Sequence, residues 1–198
     1  HVSWEEHIPP GSPPRIRQLM GSEQVAPTVD AVSRSDEVLA VMRQLIGPDV
    51  CLFHSKLMMK AARDGSFTPW HQDFQYWQHE SKLPTQINGM LFVDGADAAN
   101  GCLRMVDGSH KRGLLPSKTF AAASFRIGLD GDLDAYPEAT LLPMEPGDMV
   151  FFGALVIHGS GPNGSDRHRR ANTFAFDKPG NRLSGELPAD SWRCGRRI

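Results

Sequence analysis

The clearest apolar pattern in the chain is a helical stripe, Val38, Leu39, Met42, Leu45 and Ile46, at the three- and four-residue spacing of one helix face. Ser35 stands where an N-cap belongs, Asp36 and Glu37 fall in the positive first turn, and Gly47-Pro48 supplies the stop. From residue 50 the pattern changes to short β-type runs at 50–59, 87–93, 103–106, 141–143, 148–152, 155–158 and 171–176. Asp64-Gly65, Asp94-Gly95, Asn100-Gly101, Asp107-Gly108, Pro146-Gly147-Asp148 and Pro162-Asn163-Gly164 punctuate them as turns. Many short strands behind one helix predict an antiparallel sandwich or barrel, mainly β with flanking helices. Before the helix, residues 1–34 carry Pro9, Pro10, Pro13, Pro14 and Pro27 with little periodicity, and read as an irregular arm with a short helical piece. Residues 114–139 hold no strand pattern and read as an insert or lid on the 35–176 core. Residues 177–198 read as a surface tail.

A length of 198 residues fits one domain over 1–198, with 40% apolar and 22% charged residues, as in ordinary soluble domains. The net charge of −2 offers no electrostatic footprint for nucleic acid or for a membrane surface. Arg193, Arg196 and Arg197 form a short basic ending, read as a solvated tail. Cys51, Cys102 and Cys194 are odd in number and contain no Cys-x-x-Cys, against a disulfide framework or a zinc-thiolate site. Together with the lack of an 18-residue apolar run, they make a cytoplasmic location the expectation, although the chain opens on His1 rather than Met.

The chemistry gathers in Thr68-Pro-Trp-His-Gln-Asp-Phe-Gln-Tyr-Trp77. On an extended backbone His71 and Asp73 would project from one face, an imidazole beside a carboxylate, as two neighbouring ligands of one metal ion. His158 is the natural third ligand. Two His and one carboxylate on one face of an octahedron leave three positions open, the arrangement of non-haem Fe(II) oxygenases. Trp70, Phe74, Tyr76 and Trp77 would wall a dry cavity; for Phe74 and Tyr76 a plain aromatic core is an equal reading. Ser160 shares a face with His158. Arg169, Ala171, Thr173 and Ala175 share a face of small residues, whereas Arg170, Asn172, Phe174 and Phe176 share the other, where the Phe pair can meet the helix. An inward guanidinium on such a face needs an anion, which favours Arg169 over Arg170 as a carboxylate anchor. His54 would line the same cavity, and His79, His110 and His168 read as loop residues.

His71-Gln-Asp73, Asn100-Gly101-Cys-Leu, Gly108-Ser-His110-Lys, Pro146-Gly-Asp148 and His158-Gly-Ser-Gly-Pro-Asn163, with Arg169 following, resemble the phytanoyl-CoA dioxygenase family. The likeness runs from about 35 to 176 in the family's order. It implies a double-stranded β-helix, or jelly-roll, core with flanking helices. It also implies Fe(II) held by His71, Asp73 and His158, and 2-oxoglutarate anchored by Arg169 with help from Ser160. The segment 71–77 is similar to that of ectoine hydroxylases, which implies Trp77 beside the cosubstrate. O2 would be the oxidant and a small-molecule C–H the target, hydroxylated with release of succinate and CO2; Asp73 in place favours hydroxylation over halogenation. The rivals are a cupin-like metalloenzyme that does not use 2-oxoglutarate and a non-catalytic binding module on the same fold. The chain is shorter than typical members, and 114–139 carries none of the family's landmarks. No pattern selects a substrate or an oligomeric state.

Overall fold

The structure, a computed structural model, describes residues 1–5, 8–120, 127–183 and 196–197. The helix predicted from the apolar stripe is Asp36–Ile46, with the Ser35 hydroxyl accepting from the Val38 amide at 3.4 Å and Gly47 closing it. Val38, Leu39 and Met42 pack on Phe174, Phe176, Val50 and Leu52, so the outward-facing Phe pair does meet the helix. Leu45 departs from the stripe and is exposed, because the helix rests on the sheet through its other residues. Gly89 lets the helix lie close: a Cβ there would come within 2.4 Å of Met149 Cε and 3.2 Å of Met42 Cε.

In chain order the strands are β1 (Val2–Trp4), β2 (Ile16–Met20), β3 (Cys51–Lys60), β4 (Thr68–His71), β5 (Ile87–Phe92), β6 (Leu103–Met105), β7 (Lys118–Thr119), β8 (Ile127–Gly128), β9 (Thr140–Leu142), β10 (Met149–Gly153), β11 (His158–Ser160), β12 (Arg169–Asp177) and β13 (Arg196–Arg197). They form one sheet ordered β1-β2-β3-β12-β5-β10, with β13 also on β3, and a second ordered β4-β11-β6-β9. β7 and β8 make a separate pair. All pairings are antiparallel, and this is the expected jelly roll.

Register places the inner face of the large sheet in rows. Lys60 pairs with Arg169, Met58 with Ala171, whose other neighbour is Phe92, and Lys56 with Thr173, whose other neighbour is Met90; His54 pairs with Ala175, whose other neighbour Asn88 faces Phe152. Between Ala175 and Phe176 the register slips, leaving Phe53 as a bulge residue opposite no partner. Such a bulge re-aims a side chain, and Phe53 packs with Trp77 and Ala175.

Several expectations need correction. The helical piece expected within residues 1–34 is present, but the segment also carries strands that an irregular arm would lack. β2 pairs with β3, two helices (Ser22–Val25 and Pro27–Ser33) follow, and Ser22 Oγ donates to Asn172 Oδ1 at 2.7 Å. The prolines fall outside the strands, and buried Arg17 ion-pairs with buried Glu5 at 3.4 Å, so neither feature shows as an apolar alternation. The run 155–158 is not a strand; the chain turns there and extends at His158–Ser160. The tail does not simply lie on the surface. Asp177 is buried and accepts from Thr85 Oγ1 at 2.7 Å, Gln86 Nε2 at 2.9 Å and Asn181 Nδ2 at 2.9 Å. Arg196 and Arg197 pair along β3 rather than trailing in solvent, whereas Arg193 and Cys194 lie outside the described residues. Of the expected insert or lid, 121–126 likewise lie outside them. The rest docks on β4: Leu129 N donates to Trp70 O at 2.7 Å, and Trp70 Nε1 donates to Asp132 O at 2.9 Å. Cys102 is a free thiol, Cys51 Sγ donates to Asp177 O at 3.3 Å, and no helix among the described residues is long and apolar enough to cross a membrane.

Candidate metal centre

β4 and β11 are neighbours in the smaller sheet, and their register sets His71 directly opposite His158. Gly159 permits the approach, because a Cβ there would sit 3.0 Å from Thr68 O and 3.3 Å from Trp70 Cε3. Asp73 joins them by a different route from the expected one. The strand ends at His71, and Asp73 has right-handed helical dihedrals (φ −59°, ψ −31°) at the head of the short helix Phe74–Trp77. The turn, not strand alternation, swings the carboxylate back beside the imidazole.

The three side chains are buried, and one donor atom from each lies within 4.8 Å of the others. His71 Nε2 is 3.7 Å from Asp73 Oδ1, and His158 Nε2 is 3.6 Å from Asp73 Oδ2. Each imidazole is oriented by its own strand: His71 Nδ1 donates to Pro69 O and His158 Nδ1 to Val156 O, both at 2.9 Å. A carbonyl oxygen only accepts, so the proton sits on Nδ1 and each Nε2 presents its lone pair to the centre. Ligands about 2.1 Å from one ion stand roughly 3 Å apart at adjacent octahedral positions, so the three side chains would draw inward to close on an ion. Among the described residues this is the one group of three or more His, Cys, Asp or Glu side chains arranged to hold a metal.

Protonation states agree with ligation. Burial, aided by neighbouring His158, pushes the His71 imidazole down to about 3, and burial lowers that of His158. Burial alone would raise Asp73, but Lys56, His158, His71 and His54 together hold its carboxyl at about 2. At neutral pH the set is two neutral imidazoles and one carboxylate, the forms in which these groups bind metal.

Arg169 opens β12, is 2% exposed, and lines one cavity with the three side chains, Ser160, Thr173 and Lys56. Its Nε and Nη1 are buried without a hydrogen-bond partner, and burial lowers its guanidinium to about 10, still cationic at neutral pH. Arg170 is exposed and spends its fork on Asp94, with Nε–Oδ2 and Nη2–Oδ1 both at 2.8 Å. The two arginines thus divide as the face analysis expected.

The aromatic expectations divide differently. Tyr76 borders His71, with ring centroids 6.0 Å apart, and its hydroxyl donates to Ile127 O. Trp77 packs against Phe53 and His54 at 5.5 and 5.4 Å, with Phe74 in the same cluster. The helical turn after Asp73 rotates Phe74 and Trp77 into this core, so His54, Phe74 and Trp77 back the site rather than line its cavity. His79 is an exposed loop residue and His168 accepts from the Ala62 amide at 3.2 Å. His110, expected as a plain turn residue, lies on the 3-10 turn Ser109–Arg112 and borders a second cavity of about 670 Å³. Phe152 lines both cavities, and its ring lies 4.8 Å from that of His158.

Two polar contacts of the centre were missed. Lys56 Nζ lies 3.8 Å from Asp73 Oδ1, and Asn88 Nδ2 donates to Asp73 Oδ2 at 2.8 Å. Lys56 did leave a signal: His54, Lys56, Met58 and Lys60 alternate along one face of an otherwise apolar strand. An inward face with two lysines asks for anions.

Residues 15–171 match the phytanoyl-CoA dioxygenase (PhyH) family. The chain belongs to that family. Among relatives, an L-proline trans-4-hydroxylase of Streptomyces griseoviridis is 31% identical over 102 residues, which is 50% of this chain and 38% of that protein. A probable alpha-ketoglutarate-dependent hypophosphite dioxygenase of Stutzerimonas stutzeri is 27% identical over 182 residues, 89% of this chain and 59% of that protein. The PhyH fold is matched by a crystal structure of EctD from S. alaskensis with 2-oxoglutarate and 5-hydroxyectoine, at TM-score 0.73 and 21% identity, covering 92% of this chain and 64% of that one. The chain therefore spans less than two thirds of the length of each of these proteins.

Proposed function

We propose that this PhyH chain carries an Fe(II)- and 2-oxoglutarate-dependent dioxygenase centre that hydroxylates an unactivated C–H of a small-molecule metabolite. His71, Asp73 and His158 would hold the iron, and Arg169 would anchor the distal carboxylate of 2-oxoglutarate, with Ser160 beside it. The observation that carries the reading is the buried, half-unpaired Arg169 guanidinium sharing one cavity with the buried His-Asp-His set. An uncompensated buried cation is costly, and a carboxylate satisfies it bidentately. Iron with 2-oxoglutarate and O2 supplies the oxidising chemistry, placing one oxygen atom in the substrate and one in succinate as CO2 is released. The chain's own part is geometric. The Nδ1–carbonyl hydrogen bonds fix both imidazoles, and with Asp73 these residues would hold the iron by one face, leaving its other positions for cosubstrate and O2. Lys56 adds a second cation near the opposite end of the cosubstrate's room. Phe152, Met90 and Leu103 keep that room apolar, which strengthens the charge contacts within it.

Fe(II), then 2-oxoglutarate, added anaerobically to the protein should produce a weak visible metal-to-ligand charge-transfer band. Asp73→Ala should abolish it. Arg169→Gln should still bind iron but need at least tenfold more 2-oxoglutarate for the band. Iron binding without any band, or with a band indifferent to Arg169, favours the cupin-like reading without 2-oxoglutarate. Failure of the protein to bind iron favours a binding module on the same fold.

A further inference from the structure

We infer that Asn88 is a positioning residue that makes Asp73 a one-oxygen ligand, bound to the metal through Oδ1. The inference rests on the metal-centre reading above and extends it to a residue outside the ligand set.

Asn88 sits on β5 in the middle of the large sheet, fully buried between Ala175 of β12 and Phe152 of β10. Its Nδ2 donates to Asp73 Oδ2 at 2.8 Å, while its own Oδ1 is buried with no hydrogen-bond partner. The orientation is determined by chemistry: turning the amide over would set its carbonyl oxygen against an ionised carboxylate oxygen. Among Phe152 and Ala175 an apolar side chain of the same size would leave no carbonyl orphaned, so what the amide serves is the buried carboxylate of Asp73 and not the packing around it.

What the amide does achieve is to make the two oxygens of Asp73 unequal. Oδ2 carries the Asn88 hydrogen bond. Each oxygen also faces one imidazole, Oδ2 that of His158 at 3.6 Å and Oδ1 that of His71 at 3.7 Å, but Oδ1 has no hydrogen bond from an amide and has Lys56 Nζ at 3.8 Å. A carboxylate that chelated a metal through both oxygens would fill two positions and leave two open. Held by Asn88 on one oxygen, it fills one and leaves three. Hydrogen bonds from outside the ligand set commonly fix a metal-bound carboxylate in this way, and losing one typically costs 10–100-fold in metal affinity.

Asn88→Leu keeps the volume and removes the donor; Asn88→Ser shortens the side chain and keeps a donor. Each would be titrated with Co(II), following the visible spectrum and the dissociation constant, alongside thermal unfolding without metal. The expected result is a Leu variant that folds with a modest loss of heat stability, binding Co(II) about 10–100-fold more weakly with a changed band intensity, and a Ser variant between the two. A Leu variant that folds and binds Co(II) with the parent's affinity and spectrum overturns the inference. If the Leu variant does not fold, the Ser variant decides: parent-like affinity and spectrum overturn it, weakened binding at unchanged thermal stability supports it. A parent protein that binds no Co(II) rejects the metal-centre reading instead, so the two failures are told apart.

Discussion

His71 and His158 are held neutral by burial, and that gives the centre a pH signature before any metal enters. In the unfolded chain both imidazoles take up protons near pH 6.5; in the folded chain His71 does so only at about 3, and His158 is lowered as well. Between those limits the unfolded state binds more protons, so stability falls as pH falls. Asp73 adds the same sign further down, between its ordinary range and about 2. With a chelator present, urea unfolding should lose roughly 2–3 kcal/mol between pH 7 and 4.5 from His71 alone, with His158 adding to the loss. His71→Leu should remove its own part of that slope while leaving stability at pH 7 similar or higher. A slope unchanged in the variant would mean that His71 is not buried as a neutral base. The residues of the candidate site were legible because each is a polar group in a place where polarity needs a reason. His71, His158 and Arg169 ask for partners in an apolar setting. Asn88 was not legible, since an Asn in a strand announces nothing until its neighbour across the sheet is known.

At the scale of elements, legibility followed periodicity. The helix over Asp36–Ile46 and the strands of the core carry strong 3.6- and 2-residue patterns, and they are present with shifts of a residue or two at their ends. The pattern failed where other forces set the backbone. β2 is organised by the buried Arg17–Glu5 pair, and the 155–158 run is apolar because a turn packs there, not because a strand does. The pairing of His71 with Asp73 came from the wrong geometry, strand alternation, though the right residues. The contact between β4 and β11 makes the centre possible, and Gly159 controls it. Gly159→Ala places a methyl 3.0 Å from Thr68 O, on backbone that has little room to yield. The variant should lose about 1–3 kcal/mol, as overpacking typically costs. More tellingly, it should weaken Co(II) binding at least tenfold by moving His158 away from His71. Co(II) affinity within twofold of the parent would show that the ligands tolerate the spreading of the two strands.

Taken whole, the described fold is a jelly roll with its polar contents sorted along one inner face: Lys60 and Arg169 at one end, the candidate ligands over the Lys56 and Asn88 rows, and an aromatic cluster beyond. Residues 127–139 form a layer laid on β4, with Leu129 N bonded to Trp70 O, Trp70 Nε1 to Asp132 O and Tyr76 Oη to Ile127 O, while Leu115, before the undescribed residues, bonds Gln72 and Gln75. Tyr136 also stacks edge-on against Trp70, with centroids 5.1 Å apart. Trp70 is thus the main peg of this layer, although it lies one residue from a ligand and read in sequence as part of the cavity wall. If the layer and the centre are mechanically separate, the peg can be weakened without loosening the metal. Trp70→Phe deletes the Nε1 donor and keeps an aromatic ring. Hydrogen exchange of the amides at 127–139 should quicken several-fold, while Co(II) affinity stays within about twofold, because the Pro69 and Val156 carbonyls that orient the imidazoles are untouched. Loss of metal affinity in step with faster exchange would instead show that the layer presses the ligand strand into position, making 127–139 part of what holds the centre together.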